Sequence, residues 1–218
     1  MAQATKITDF QRARSDDQKA RRRQAIVTAA RQHLADVGFE SFSMGTLAKA
    51  VGIARGTLYL YFETREEVLL ALYVEEIQLW VDAVIDATPA GTGAEPFLAA
   101  FFRTATDAPL YLQLAARAGS VIEQNISLQR LIDLKMAARD LAFRVGEHVA
   151  TLFELTPEQA IGVVTSLLSL LLGVSQMTHP LPVEQGALPP QVQELVQMMD
   201  AERLFLDAGL WMLNGVRR

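Results

Sequence analysis

The sequence predicts an all-α protein of about nine helices or more, divided into a small basic N-terminal domain and a larger acidic helical one. Three observations carry this. Apolar residues recur at helical spacing in one segment after another. Helix starts are marked by Ser or Thr followed three residues on by Glu or Gln, and stops by Gly or Pro. No segment shows the apolar/polar alternation of a strand.

Residues 1–17 are polar and aperiodic and read as a flexible N-terminal arm. Ser15 with Gln18 forms a capping box that opens the first helix. Ile26, Ala29, Ala30, Leu34 and Val37 lie along it, and Gly38 ends it. Ser43 caps a short helix over 44–51, residues 52–54 turn the chain, and a second short helix covers 55–61. Thr64 with Glu67 opens a long helix carrying Val68, Leu72, Ile77, Val81, Val84 and Ile85. Residues 89–93 are a loop. Further helices are expected over 95–107, 109–123, 127–154 and 157–178, with one or two more within 190–215. Thr156-Pro157 with Gln159 starts one of them cleanly, since Pro suits the first helical position. The Pro-rich segment 179–190 reads as a loop. The domains are therefore an arm at 1–17, a small helical domain at 18–63 and a larger one at 64–218.

Half of the 218 residues are hydrophobic, enough for a sizeable core. There are no cysteines, which excludes disulfides and thiolate metal sites and fits a reducing compartment. No apolar run opens the chain, so no secretory signal is expected and the cytoplasm is the expected location. The net charge of −5 hides an asymmetry. Residues 1–65 hold 11 Lys/Arg against 6 Asp/Glu, whereas the rest hold 9 against 19. The first segment is built to meet a polyanion, or is a charged tail; the second is neither.

The short helix over 55–61 has a face unsuited to water. Leu58 and Phe62 share one side and can bury against Leu47 and Val51. The other side presents Gly56 and Leu60, flanked by Thr57 and Tyr59, with Arg55 and Tyr61 near the boundary. Contact with DNA accounts for each residue. Gly56 permits close backbone approach; Thr57, Tyr59 and Tyr61 can donate to phosphate oxygens. Arg55 matches guanine O6 and N7, and Leu60 a thymine methyl. The competing reading makes the tyrosines rim packing of a small bundle. Upstream, Lys19, Arg21, Arg22 and Arg23, with Arg12 and Arg14, form a basic cluster that suits phosphates or a minor groove, or a solvated helix face. Three consecutive arginines cannot all face one groove wall.

The run Phe42-Ser43-Met44-Gly45-Thr46-Leu47-Ala48, then Val51-Gly52-Ile53, Gly56-Thr57-Leu58-Tyr59-Leu60-Tyr61-Phe62 and Arg65-Glu66 closely resembles the N-terminal domain of the TetR family of transcriptional regulators. Ala29-Ala30 and Gly38-Phe39 fit its first helix. The resemblance covers about residues 18–70. It implies a three-helix, homeodomain-like helix-turn-helix followed by a helical domain for ligand binding and dimerisation. By matching positions it implies that Ser43 touches phosphate, that Arg55, Gly56, Thr57 and Leu60 enter the major groove, and that Tyr59, Tyr61 and Arg65 hold the backbone; Lys49 is peripheral. Two positions depart from the pattern. Gly45 stands where many members carry a base-reading Arg, and Ala54 replaces the usual capping Ser before the recognition helix. Losing that cap costs about 1 kcal/mol.

Residues 160–178 carry no charge, and 161–177 fall a little short of the ~20 residues of a membrane span. Gly162, Thr165, Ser166, Ser169 and Gly173 form a small-residue stripe that lets helices approach closely. The expectation is a buried helix covered on every side. The last segment, with Leu204, Phe205, Leu206, Leu210, Trp211 and Leu213, can supply part of the cover. The resemblance implies that these two helices form a four-helix homodimer interface through Gly162, Ser166, Ser169, Gly173, Leu204, Leu206, Leu210 and Trp211; the alternative is an intrachain core. A dimer would place two recognition helices about one DNA turn apart, ~34 Å or a multiple, on a palindromic double-stranded operator. Candidate walls and polar contacts of an effector pocket are Trp80, Phe101, Tyr111, Arg117, Asn125, Phe143, His148, Gln176 and Met177. Their character favours an apolar or aromatic small molecule, although His148 equally reads as a hydrogen-bonded core histidine.

No enzyme is expected. The three histidines, His33, His148 and His179, are scattered without metal-ligand spacing, and no phosphate loop or nucleophile elbow appears. No metal and no cofactor are implied. The expected function is a DNA-binding regulator, by default a repressor released by its effector through movement of the helix that starts at Thr64. The alternatives are an activator of the same fold, or a helical small-molecule sensor or carrier that does not bind DNA.

Overall fold

The computed structural model describes residues 2–177, 188–198 and 200–216, with side chains from residue 17 onward except at 109 and 195–199. Among the described residues every regular element is helical, as the sequence predicts. The chain divides into two compact units, Met1–Leu72 and Tyr73–Arg218. The division falls later than the expected 63/64 boundary, because Val68, Leu69 and Leu72 belong to the first unit and are fully buried.

The first unit contains helices α1 (Ala2–Ser41), α2 (Met44–Val51), α3 (Arg55–Leu58) and the start of α4 (Arg65–Ala87). Helix α1 begins at Ala2, so the backbone of the segment read as an arm is helical. Residues 2–37 contain no Gly or Pro to interrupt it and are rich in Ala, Gln, Lys and Arg. Ser15 therefore lies within the helix, not at its start; its side chain, and those of Arg12 and Arg14, lie outside the described residues. Gly38 breaks the helix as expected, with φ 73° and ψ 169°, a backbone that side chains disfavour. The core of this unit comprises Ile26, Val27, Ala30, Leu34, Phe42, Leu47, Leu58 and Phe62. Thr64 Oγ1 accepts from Glu67 N–H at 3.1 Å, and Glu67 Oε2 accepts from Glu63 N–H at 2.8 Å, closing the predicted start of α4.

The second unit holds the rest of α4, then α5 (Ala94–Thr106), α6 (Pro109–Arg117), α7 (Leu128–Phe153), α8 (Pro157–Met177), α9 (Pro190–Met198) and α10 (Ala201–Val216). The segment expected as a helix over 109–123 is split: α6 gives way to a π turn (Ala118–Ile122) and a 3-10 turn (Glu123–Asn125). Gly119 lies at this change, where a residue of weak helix propensity is tolerated. Most of the predicted loop 179–190 lies outside the described residues. The expected box at Thr156 is present. Gln159 Oε1 accepts from Thr156 N–H at 3.0 Å, and Thr156 Oγ1 accepts from Gln159 N–H at 3.2 Å.

Helix α8 packs against α7, α10 and α6, and α10 also packs against α5. Gly146 lets α7 approach α8, since a Cβ there would stand 2.6 Å from Ile161 Cδ1. Gly209 does the same for α10, 2.6 Å from Leu98 Cδ2. Within the chain α8 is not covered on every side. Val163, Val164, Leu167, Leu171 and Val174 are buried, while Gly162, Thr165, Ser166, Ser169 and Gly173 face outward. The small and hydroxylated residues sit on the side that no helix covers among the described residues. At 21 residues α8 also has the length and apolarity to cross a membrane.

Candidate nucleic-acid interface

Ser43 positions the first half of the site. Its hydroxyl accepts from Thr46 N–H at 3.1 Å, and Thr46 Oγ1 accepts from Ser43 N–H at 3.1 Å. This reciprocal cap fixes the entry to α2. At the other end Gly52 adopts φ 74° and ends the helix, and Ile53 N–H returns to Ala48 O at 3.0 Å. Only Gly takes that backbone without strain, so Gly52 sets the angle of the turn. Ala54 then starts α3 with no side-chain cap. Helix α3 is shorter than expected, ending at Leu58. The chain continues in tight turns, with Leu60 N–H on Thr57 O at 3.2 Å and Tyr61 N–H on Leu58 O at 3.0 Å. The missing cap and Gly56 both weaken the α-helical form here.

The two faces separate as the periodicity predicts. Leu58 and Phe62 are fully buried. Arg55, Gly56, Tyr59 and Leu60 are exposed, Leu60 by 70%, while Thr57 and Tyr61 are half-buried. An isolated Leu that exposed needs no explanation alone, but here it stands between two tyrosines beside a basic cleft. Gln18, Lys19, Arg21 and Arg22 of α1 line that cleft together with Leu60 and Tyr61. Arg23 turns the other way, its guanidinium 4.6 Å over the Phe62 ring. The arginine run is thus divided between surface and support.

Two other arginines are engaged. Arg55 Nη2 donates to Tyr59 Oη at 3.0 Å, and its guanidinium lies 5.6 Å from that ring. Both groups are held on the exposed face one helical turn apart. Arg65 Nη2 donates to Phe39 O at 2.9 Å and stacks 4.7 Å from the Phe39 ring. Arg65 therefore braces the start of α4 against the end of α1, a role that its place in the motif did not reveal. Lys49 is exposed at the end of α2.

The candidate pocket residues do not gather in one place. Trp80 and Tyr111 stack with centroids 5.0 Å apart and 8° between planes, and Phe101 meets Trp80 edge-on at 4.8 Å. Trp80 and Tyr111 line a cavity of about 140 Å³ with Tyr73, Ile77, Leu141, Val145 and Leu168 among its other walls. Burial holds the Tyr111 hydroxyl far above the ordinary tyrosine range, and Tyr73 is raised by burial and by the nearby Glu123 carboxylate. The other candidates are outside this lining. Phe101 is core. Arg117 Nη1 donates to Gln113 O and Asn125 Nδ2 to Val121 O, each within its own segment. Phe143, Gln176 and Met177 are exposed. His148 Nε2 lies 2.8 Å from Thr88 Oγ1, whose proton goes to Val84 O at 2.7 Å. His148 must then be the donor, through its Nε2–H tautomer. On α10, Leu206 and Leu210 are half-buried, Leu204 is exposed, and Trp211 is 75% exposed.

Residues 26–72 match the profile of the bacterial regulatory proteins of the tetR family, and residues 74–216 match the tetracyclin repressor-like C-terminal domain. The fatty acid metabolism regulator protein of Bacillus subtilis (strain 168) is 32% identical over 65 residues, 30% of this chain. The chain spans about a third of that relative's length, 34%. Among solved structures, a possible TetR family transcriptional regulator from Streptomyces coelicolor A3(2) is similar at TM-score 0.60 and 18% identity, over 89% of this chain and 98% of that one. The fatty acid degradation regulator FadR from Bacillus halodurans aligns at TM-score 0.53 and 19% identity, over 87% and 97%. The multidrug binding protein EbrR, solved with imidazole, aligns at TM-score 0.56 and 19% identity, over 82% and 94%.

Proposed function

Because the chain belongs to the TetR family and is a DNA-binding transcriptional regulator, we propose that it is a repressor that holds a palindromic operator as a homodimer and leaves it when a small molecule occupies the helical domain. The observation that carries the DNA-reading part is the exposed row Arg55, Gly56, Tyr59 and Leu60 beside a cleft lined by Lys19, Arg21 and Arg22. Arg55 and Leu60 meet bases, while Tyr59, Tyr61 and the α1 cations hold phosphates. With Gly45 on α2, that helix positions the pair more than it specifies sequence.

The homodimer is supported by α8 and α10. The outward stripe Gly162, Ser166, Ser169 and Gly173 and the exposed Leu204 and Trp211 are surfaces that a second copy would cover. Release is proposed to run along α4, which starts at Arg65 and carries Trp80 about four turns later. An effector acts only through its differential affinity for the two states, and couplings of ~1–3 kcal/mol are typical. The relatives' names point to fatty acids and to drugs, but the curated match spans a third of its relative and the structural matches fall below 20% identity. The effector therefore has to be argued from this chain.

Selecting bound fragments from the organism's own genome with the purified protein tests the reading. The expected result is enrichment of sites with two-fold related half-sites. Enrichment of no sequence, with binding indifferent to salt, would overturn it.

A further inference from the structure

Resting on the reading of the helical domain as an effector domain, we infer that its effector is a neutral, single-ring molecule bearing one hydrogen-bond acceptor, and not a long acyl chain. Size comes first. The cavity measures about 140 Å³, and an apolar cavity of ~150 Å³ holds one benzene ring. It exists because Ala115, Ala138 and Ala142 stand opposite aromatic and branched side chains. Shape comes next. The Trp80–Tyr111 stack, 8° from parallel, offers a flat aromatic wall, suited to the offset or edge contacts of a further ring.

Charge is settled by what the walls lack. Among the described residues no Asp, Glu, Lys, Arg or His lines the cavity, and the nearest charge acting on a lining residue, Glu123 beside Tyr73, is negative, so an anionic ligand would be buried without a partner at a large cost. Polarity is settled by what one wall offers. The Trp80 indole N–H is buried, and among the described residues no group accepts from it. Buried donors are normally satisfied, and the residue that carries this one lines the cavity. Tyr111 and Tyr73, whose hydroxyls burial holds protonated, line the same cavity. The indole N–H can only donate, whereas the tyrosine hydroxyls can donate or accept, so a carbonyl or ether oxygen on the ligand is the group that answers the unsatisfied donor.

Calorimetry on the full-length protein tests this with four probes: acetophenone, toluene, benzoate and palmitate. Acetophenone should bind saturably, toluene about tenfold more weakly for want of the acceptor, and benzoate and palmitate not measurably. Trp80→Phe keeps an aromatic side chain in the wall and removes the donor; it should reduce acetophenone affinity about tenfold more than it alters toluene affinity. Ala138→Leu fills the cavity and should abolish both, with the melting temperature confirming a folded chain. Tighter binding of palmitate or benzoate than of acetophenone would overturn the inference, as would acetophenone binding unaffected by Trp80→Phe. Operator release is read separately on the wild-type protein. Palmitate that binds and releases DNA contradicts the ligand class and leaves the regulator reading standing. Acetophenone that binds as described without releasing DNA supports the class and contradicts the effector role.

Discussion

Arg55 and Tyr59 form a pair before any DNA arrives, one donating to the other at 3.0 Å on an exposed turn. Such a pair orients the guanidinium, so less rotamer freedom is lost when it meets a guanine. Arg55→Ala should relax preference at one base position, at about 1–3 kcal/mol, in a binding-site selection. Tyr61→Ala should weaken all sequences alike if its hydroxyl meets phosphate as proposed. Arg65 separates from this group. With its guanidinium on Phe39 O and the Phe39 ring, Arg65→Ala should lower unfolding stability by about 1–3 kcal/mol, read by urea titration. A variant of unchanged stability with lost DNA affinity would return Arg65 to the phosphate contacts. The motif places Arg65 beside the recognition helix, but a one-dimensional pattern carries no information on which carbonyl its side chain meets. The same limit explains the pocket candidates. Trp80 and Tyr111 line the cavity, while Phe143 and Met177 face outward, since aromatic or apolar character alone does not select the inner side of a helix.

At the level of elements, capping chemistry was the most legible signal. The caps at Ser43, Thr64 and Thr156 all sit at helix starts, because the bonds that make them are local. Ser15 misled for the opposite reason: a capping pattern inside a run free of Gly and Pro does not oblige the helix to begin there. Helix α8 was legible in length and in which stripe the chain leaves uncovered. Its charge-free sequence calls for cover on every side, and its Ser, Thr and Gly stripe, the part assigned to a dimer partner, is outward among the described residues. Ser169→Arg, placed on that stripe, should shift the protein from dimer to monomer in sedimentation while its helical circular dichroism is retained. A dimer of wild-type strength would place the interface elsewhere. Gly209 makes the complementary case inside the fold. A Cβ there meets Leu98 at 2.6 Å and Leu167 at 3.3 Å, so Gly209→Val should destabilise the second unit by about 1–3 kcal/mol through overpacking, seen as a lower thermal midpoint.

Across the whole molecule, charge and apolar surface are assigned to different jobs. Residues 1–65 carry the excess of Lys and Arg, and the remainder carries the acid. The acidic total therefore says nothing against DNA binding; it belongs to the helical unit, whose core is apolar and whose cavity has no charged side chain among its described lining residues. The central claim is that the turn from Arg55 to Tyr61, with the α1 cations, holds DNA by phosphate contact and reads it by a few base contacts. The salt dependence of affinity for a selected operator tests it most directly, compared between the wild-type protein and Tyr61→Ala. The account predicts a steep linear fall of log affinity with log salt for the wild type, and a slope shallower by about 1 for the variant. Equal slopes and equal affinities for the two proteins would contradict it.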